Sequence, residues 1–283
     1  MNYTFDAAIQ NKSAGLFRRL HHTGEMLVLP NAWDAVSARM YQETGFQAIA
    51  TTSSGVSWAC GYQDGEKIPP EEMLSALKRI TRVVSIPVSA DIEAGYFAEE
   101  ADLFHKFIMD IVEAGIVGIN LEDANSKAGG MRSVDAQVAL IRLARKAGND
   151  KGVNLFINAR TDAIERAPGN PDEKIQACIE RAKAYEDAGA DSIFVPFTSE
   201  METVARLKEG IRLPLNILMG NTLDPAGLRR LKVERVTVGG KPILATLNTL
   251  RKIAEELKND NDWRTLFVSQ PTYPEINNWF RQG

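Results

Sequence analysis

Acidic and guanidinium side chains follow several short apolar segments of the chain, at the points where those segments end. Asp91 and Glu93 stand at the end of one segment, and Glu122 stands at the end of the next. Asp91 and Glu93 are two residues apart, so both can point to the same side of an extended chain. Carboxylates gathered at one place repel one another strongly unless a cation neutralises them. Oxygen ligands without a pair of thiolates or histidines favour Mg²⁺ or Mn²⁺ over zinc.

Arg160 ends a further apolar segment and supplies a planar cationic group that suits the carboxylate of a small substrate. A divalent cation beside it would polarise a 2-oxo group and stabilise an enolate on the adjacent carbon. The three histidines, His21, His22 and His105, fall outside the segment ends, so carboxylates or a bound water are expected to handle protons.

These segments alternate with longer amphipathic stretches along the whole chain, a pattern typical of βαβ units. The predicted strands are residues 26–29, 48–51, 87–90, 118–121, 155–159, 192–195, 215–218 and 235–238. The predicted helices are residues 35–43, 70–83, 98–114, 134–147, 171–188, 200–208, 225–231 and 241–258. Eight such units predict a TIM (β/α)8 barrel, whose functional groups lie at the carboxyl ends of the strands.

Length and composition fit one α/β barrel. The 283 residues are 44% hydrophobic and 25% charged, which is enough to bury a large core. We predict one domain over residues 1–283, with an extra helix at about 5–22 and a helical tail at about 259–283. A net charge of −4 without a basic cluster argues against nucleic acid, and two distant cysteines argue against disulfides. The sequence lacks a signal peptide pattern and a long apolar run, so we expect no membrane association and a cytoplasmic location.

The tail is unusually rich in aromatic and aliphatic side chains, which are unfavourable in water unless they are packed. They are Trp263, Phe267, Tyr273, Ile276, Trp279 and Phe280. We expect a neighbouring subunit to cover most of them, rather than this subunit's own barrel.

Several short motifs, in their order along the chain, resemble those of the isocitrate lyase/phosphoenolpyruvate mutase superfamily. The resemblance extends from about residue 26 to about residue 258. The matching motifs are Pro30-Asn31-Ala32-Trp33-Asp34, Ser54-Gly55-Val56, Gly61-Tyr62-Gln63-Asp64, Asp91-Ile92-Glu93-Ala94-Gly95-Tyr96, Leu121-Glu122-Asp123 and Ala159-Arg160-Thr161-Asp162-Ala163. Each motif is weak alone, but the ordered set is specific.

The resemblance implies a magnesium site and an oligomer. Asp91 would ligate Mg²⁺ directly, and Glu93 and Glu122 would hold the water shell of the ion. The eighth helix of the barrel would be exchanged between neighbouring subunits, in a homotetramer built as a dimer of helix-swapped dimers.

The resemblance also implies a substrate site. Ser54, Gly55 and Arg160 would grip the carboxylate and carbonyl of the substrate, and Asp64 would approach the reacting carbon. The predicted substrate-binding residues are Ser54, Gly55, Val56, Asp91, Arg160 and Asn216, and the predicted catalytic residues are Asp64, Arg160 and Glu122. Asp123 is expected to have a structural role.

Two segments depart from the superfamily pattern. Lyases of the superfamily carry a lid motif with a cysteine and a histidine after strand four, whereas residues 125–132 here read Asn-Ser-Lys-Ala-Gly-Gly-Met-Arg. Lys127 and Arg132 beside the glycine pair fit a mobile lid over an anionic substrate, or a solvated loop. After strand six, Val195-Pro196-Phe197 replaces the Glu or His of better-defined members.

The sequence therefore predicts a Mg²⁺-dependent lyase or hydrolase that acts on the C–C or C–P bond next to the carbonyl of a small 2-oxo (di)acid. Phosphonopyruvate or phosphoenolpyruvate phosphonomutase activity is an alternative on the same fold. A phosphate-binding isomerase or aldolase is another, because Gly239-Gly240 precede a helix and could cradle a phosphate. A ligand-binding barrel without turnover is a further alternative, since the lid cysteine is missing.

Overall fold

Short parallel strands alternate with helices along the chain. The computed structural model describes residues 5–125, 129–259, 263–268 and 270–281. The strands are β1 (Leu27–Leu29), β2 (Asn31–Ala32), β3 (Ile49–Thr51), β4 (Val88–Asp91), β5 (Gly118–Glu122), β6 (Phe156–Arg160), β7 (Ser192–Val195), β8 (Leu215–Leu218) and β9 (Arg235–Thr237). The helices are α1 (Ala7–Leu20), α2 (Ala35–Glu43), α3 (Ser53–Ala59), α4 (Pro70–Thr81), α5 (Ala101–Glu113), α6 (Val134–Asp150), α7 (Ala163–Arg166), α8 (Pro171–Asp187), α9 (Met201–Gly210), α10 (Pro225–Arg230), α11 (Lys241–Asn259) and α12 (Tyr273–Trp279). A 3₁₀ helix spans Arg264–Phe267.

The sheet closes into a barrel. Its strand order is β1-β9-β8-β7-β6-β5-β4-β3-β2, and every pairing is parallel. Only Pro30 separates β1 from β2, so these strands are two halves of one extended segment that pair with opposite ends of the sheet. Proline has no N–H to give to the ladder, which accounts for the break. The predicted TIM barrel is confirmed, with its first strand divided.

The side chain of Asn31 bridges the place where the ring closes. Its Oδ1 accepts from the backbone N–H groups of Val238 and Gly239 at 2.9 and 2.8 Å, and its Nδ2 donates to the carbonyl of Thr51 at 2.8 Å. These three bonds connect the end of β9 to β3 and supply contacts that the divided strand does not make.

The extra amino-terminal helix covers the end of the barrel where the strands begin, which forms its floor. Helix α1 is capped by Asp6, whose carboxylate accepts from the N–H groups of Ala8 and Ile9. The ring of Phe17 is buried against Phe156 at the start of β6, with 5.1 Å between ring centroids. The opposite end of the barrel, where the strands terminate, is left for the functional side chains.

The last helices lie apart from this core. Among the residues of α11, all of which are described, the structure buries Ile243 alone. Leu247 is 43% exposed and Leu250 is 57% exposed, and in the tail Phe267 is 77% exposed. No helix in the described ranges is both long and apolar enough to traverse a lipid bilayer.

Candidate active site

The end of β4 is held by hydrogen bonds to the segment after β3. The backbone N–H of Asp91 donates to the Thr51 hydroxyl at 3.0 Å, and its carboxylate accepts from the backbone N–H of Ser53 at 3.1 Å. The side chain of Ser53 hydrogen-bonds to Asp64 on the following loop. Ser53 therefore connects two acidic residues that the sequence places in one site.

Three residues other than glycine adopt the left-handed region beside Asp91. They are Glu66, Glu93 and Tyr96, with φ of 59°, 52° and 60°. The N–H of Glu66 donates to Glu93 Oε2 at 2.7 Å, and the N–H of Tyr96 donates to Glu66 Oε1 at 2.6 Å. Such conformations are costly and persist where the surroundings enforce them, often at functional sites. The hydrogen bonds among these three residues connect the loop after α3 to the loop after β4.

Glu122 and Arg160 face each other across β5 and β6, where they are register partners. Nη1 of Arg160 lies 2.7 Å from Glu122 Oε2, and Nε donates to Asp162 Oδ1 at 2.7 Å. Nη2 donates to Asp162 Oδ2 at 3.2 Å. A guanidinium has five N–H donors, so one hydrogen on each terminal nitrogen remains for another acceptor.

Burial and neighbouring carboxylates raise the pKa values of three carboxyl groups at this end of the barrel. Burial and the charges of Asp64 and Asp91 raise the pKa of Glu93 to about 8. Burial raises the pKa of Glu122 to about 8, and the guanidinium of Arg160 opposes that rise. Although Asp64 lies on an exposed loop, enough protein surrounds its carboxyl group for desolvation and Asp91 to raise its pKa as well. The carboxyl-terminal end of the barrel, or mouth, carries Asp64, Asp91, Glu93 and Glu122 and therefore favours a bound cation.

The donor set fits Mg²⁺ or Mn²⁺ held through water. In the described ranges no three His, Cys, Asp or Glu side chains converge closely enough to enclose a metal ion alone. Zinc sites need such convergence, whereas Mg²⁺ keeps several waters and takes one or two carboxylates. Asp91 as a direct ligand, with Glu93 and Glu122 at the water shell, is compatible with this geometry and remains a prediction.

The three predicted substrate-binding residues after β3 differ in their surroundings. The hydroxyl of Ser54 lies 3.0 Å from the Thr52 hydroxyl and stands close to Gly240. A Cβ at Gly55 would lie 2.8 Å from Trp33 Cβ, so close packing explains that glycine. The side chain of Val56 is buried in the hydrophobic core, and its N–H donates to the Thr52 carbonyl. The side chain of Val56 therefore belongs to the core, and its role in substrate binding stays a prediction.

Asn216 and the glycine pair lie on the strands that complete the ring. Asn216 is fully buried inside the barrel, where its Oδ1 accepts from the Thr237 hydroxyl at 3.4 Å. Its role in substrate binding stays a prediction. The N–H of Gly239 is occupied by the side chain of Asn31, which argues against the phosphate cradle considered from the sequence.

The segment after β5 is anchored at its carboxyl end. Arg132 donates from Nη1 to the carbonyls of Ala94 and Glu122, both at 3.2 Å. These bonds tie Arg132 to the ends of β4 and β5, and its part in a mobile lid stays a prediction. Lys127 and its two neighbours, residues 126 and 128, lie outside the described residues. A cavity of about 250 Å³ opens beside the mouth, with Tyr96 and Arg132 in its lining.

The structural role predicted for Asp123 is confirmed. Its buried carboxylate accepts from Arg181 Nη1 at 3.0 Å, the Tyr185 hydroxyl at 2.7 Å and the N–H of Asp162 at 3.0 Å. The histidines lie away from the mouth, as predicted: His21 is buried after α1, and His105 pairs with Asp150 on the outer surface.

Sequence reasoning missed several residues that shape the site. Thr51, Ser53, Glu66 and Tyr96 each bond to one of the acidic residues or to another of these four. Phe197 was noted only as a departure, yet its ring lies 5.5 Å from the guanidinium carbon of Arg160. The Asp-Gly-Glu run around Glu66 was a signal for that residue, but nothing in the sequence pointed to Thr51.

The fold is a (β/α)8 barrel, and acidic side chains suited to a bound cation lie at the carboxyl ends of its strands. The family model of phosphoenolpyruvate phosphomutase matches residues 17–258. The chain therefore belongs to this family, within the isocitrate lyase/phosphoenolpyruvate mutase superfamily of lyases and mutases, and the predicted membership is confirmed.

Individual relatives fit this assignment. A putative phosphonomutase from Burkholderia cenocepacia is 37% identical, with a TM-score of 0.82 over 87% of this chain and 100% of that one. A 2-methylisocitrate lyase of Shewanella oneidensis is 29% identical over 94% of this chain and 92% of its own length. A phosphonopyruvate hydrolase solved with oxalate and Mg²⁺ is 22% identical, with a TM-score of 0.83 over 94% of each chain; at that identity it supports the fold alone.

Proposed function

We propose that the protein is a Mg²⁺-dependent lyase or hydrolase that breaks the C–C or C–P bond next to the carbonyl of a small 2-oxo (di)acid. The observation that carries this proposal is the acidic mouth, where Ser53 bonds to both Asp91 and Asp64, and where burial and the charge of Asp91 raise the pKa values of Asp64, Glu93 and Glu122. Family membership supports it, as does the 29% identity to the 2-methylisocitrate lyase of Shewanella oneidensis. Mn²⁺ would suit the same oxygen donors.

Asp91 would hold the cation, with Glu93 and Glu122 orienting its water. When bound, Mg²⁺ supplies Lewis acidity that stabilises charge developing on the 2-oxo group. Arg160 is oriented by Glu122 and Asp162, and its two remaining N–H hydrogens would bind the substrate carboxylate. Ser54 lies at the same end of the barrel and would add a hydroxyl contact.

Protons would be carried by the carboxyl groups. The protons that Glu93 and Glu122 hold at neutral pH, with pKa values of about 8, would leave when the cation binds, so Asp64 or a water held by these carboxylates would supply the proton to an enolate. Asp64, whose pKa is also raised, stands on the loop facing Asp91 and would approach the reacting carbon. This assignment needs neither the cysteine nor the histidine of the lyase lid.

Phosphonomutase activity is the second candidate. The putative phosphonomutase from Burkholderia cenocepacia, at 37% identity, is the specific observation in its favour. The two activities separate in one assay: phosphorus NMR on phosphonopyruvate reports either isomerisation to a phosphate ester or release of inorganic phosphate.

The test is a substrate panel with and without EDTA: oxaloacetate, phosphonopyruvate and 2-methylisocitrate. We expect turnover of at least one compound, abolished by EDTA and restored by Mg²⁺. Asp91→Ala should remove the thermal stabilisation that oxalate gives in the presence of Mg²⁺, whereas Asp135→Ala on the outside of α6 should not. Oxalate binding without turnover of any compound would favour the non-catalytic alternative, and unchanged oxalate stabilisation in Asp91→Ala would refute the site.

We further propose that α11 and the tail pack on a second copy of the chain, in a homotetramer built from helix-swapped dimers. Leu244, Leu247, Leu250 and Leu257 are all exposed, and their spacing puts them along one side of α11. A helix that follows the last strand of a barrel normally buries such a side. An apolar stripe of this length fits an isologous contact between subunits.

A further inference from the structure

Arg235, the first residue of β9, lies inside the barrel with no exposed surface. Its Nη2 donates to Asn120 Oδ1 at 3.3 Å, whereas Nε and Nη1 have no hydrogen-bond partner in the part of the chain that the structure describes. Taking a guanidinium out of water costs several kcal/mol unless charges and hydrogen bonds compensate it. One long hydrogen bond does not account for this residue.

The layer that surrounds Arg235 is polar, whereas barrel interiors are usually filled by branched apolar side chains. The Ser192 hydroxyl donates to Asn158 Oδ1 at 2.6 Å, and Asn158 Nδ2 donates to Asn120 Oδ1 at 2.8 Å. Asn120 thus receives bonds from both Asn158 and Arg235. It is also the register partner of Asp91 on the adjacent strand, so the layer ends directly beside the acidic mouth.

Aromatic rings occupy the floor of the barrel next to Arg235. The guanidinium carbon of Arg235 lies 5.9 Å from the ring centroid of Phe17. His21 packs edge-on against the same ring at 4.8 Å, and burial lowers the pKa of His21 to about 3, which keeps it neutral. Burial lowers the pKa of Arg235 to about 9, and the charge of Asp91 opposes that shift. Arg235 therefore remains a cation at neutral pH.

We propose that Arg235 is a buried counter-charge beneath the acidic mouth, a positioning residue that weakens the binding of the divalent cation and strengthens the binding of the anionic substrate. The inference rests on the proposed function, because it assumes a cation beside Asp91. A fixed positive charge repels the incoming metal and attracts the dianion that follows it. The two effects have opposite signs, which a loss of packing cannot imitate.

The test compares Arg235→Met with the unchanged protein in two titrations. The first follows free Mn²⁺ by electron paramagnetic resonance, and the second follows oxalate binding to the Mn²⁺-loaded protein by calorimetry. One hydrogen bond and one strand spacing separate Arg235 from Asp91, so the charges lie roughly 9 Å apart. At an effective dielectric constant of about 20, such a charge changes a binding constant by about tenfold or more. We expect Mn²⁺ to bind about tenfold more tightly and oxalate about tenfold more weakly.

Two matched variants separate charge from packing. Arg235→Lys keeps the charge and should leave both affinities within about threefold of the unchanged protein. Ser192→Ala removes a hydrogen bond from the same layer without altering charge, and should change neither. If Arg235→Met does not fold, Asn120→Asp neutralises the arginine in place and should move both affinities in the directions expected for Arg235→Met.

The outcomes are distinct. Unchanged affinities in Arg235→Met, or in Asn120→Asp where it replaces that variant, would overturn the inference, as would a parallel fall of both affinities. A protein that binds Mn²⁺ in none of its forms, including the unchanged one, would instead refute the proposed function on which the inference depends.

Discussion

Mg²⁺ affinity at the mouth is expected to rise steeply with pH, because two carboxyl groups hold protons near neutrality. Burial and neighbouring charges raise the pKa of Glu93 to about 8, and burial raises the pKa of Glu122 to about 8 against the opposing charge of Arg160. A cation that needs ionised carboxylates must displace these protons when it binds. Affinity is therefore full above pH 8 and is lost as the pH falls below it.

The size of the effect follows from the pKa values. One pKa unit corresponds to ~1.36 kcal/mol, so deprotonating one such group at pH 6 costs ~2.7 kcal/mol. Each group then lowers the apparent Mg²⁺ affinity about tenfold for every pH unit below 8. With Glu93 and Glu122 both involved, the slope of log affinity against pH approaches two between pH 6 and pH 7.5.

Calorimetry in two buffers of different protonation enthalpy counts the protons that are released on binding. At pH 6.5 we expect close to two protons per Mg²⁺. Glu93→Gln should release one fewer, whereas Glu100→Gln, on the exposed loop before α5, should release the same number as the unchanged protein. An affinity that is constant between pH 6 and pH 8, with no proton release, would refute the assignment of these groups to the metal.

Arg160→Met should lower the free energy of unfolding by about 3–5 kcal/mol in urea titrations, because it leaves Glu122 without its cation and leaves the fully buried Asp162 with Arg166 as its remaining ion-pair partner among the described residues. Oxalate affinity should fall in this variant while Mg²⁺ affinity does not, and equal losses of both would contradict the role of the arginine. His21 has a pKa of about 3 in the folded protein and about 6.5 in the unfolded chain, so it costs stability as the pH falls from 6.5 towards 3. His21→Phe should reduce that acid-side slope by up to about 1.4 kcal/mol per pH unit, and an unchanged slope in denaturation experiments would exclude the mechanism. Leu247→Glu should reduce the molar mass measured by light scattering if α11 packs on a second copy, whereas a chain that is already monomeric would contradict the proposed assembly.

The barrel was predictable because each strand and helix has a recognisable pattern of apolar residues within its own segment. Apolar runs and amphipathic stretches recur with the periods of strands and helices, and the predicted bounds of α2, β7 and β8 agree with the structure. Three short elements, β2, α3 and the four-residue α7, were missed. Strand β2 has only two residues and follows a proline, and α3 begins with Ser-Ser-Gly, a run of poor helix formers.

The acidic residues of the site were predictable, but their partners were not. Parallel strands bring their carboxyl ends to one face, so Asp91 and Glu122 could be placed together from the sequence alone. The bond from Ser53 to Asp91 and the contact of Arg235 with Asn120 depend on register between distant segments. Burial of Val56 in the core likewise depends on how α3 docks, which its motif did not reveal.

The asparagine that joins the two ends of the ring also constrains how the molecule is made. Asn31 and Val238 are 207 residues apart, and closing so long a loop costs chain entropy that only late contacts repay. On a ribosome the acidic residues of the mouth emerge well before the strand that completes their enclosure. Nascent chains are therefore expected to remain open, and unable to hold a ligand, until β9 has left the ribosome.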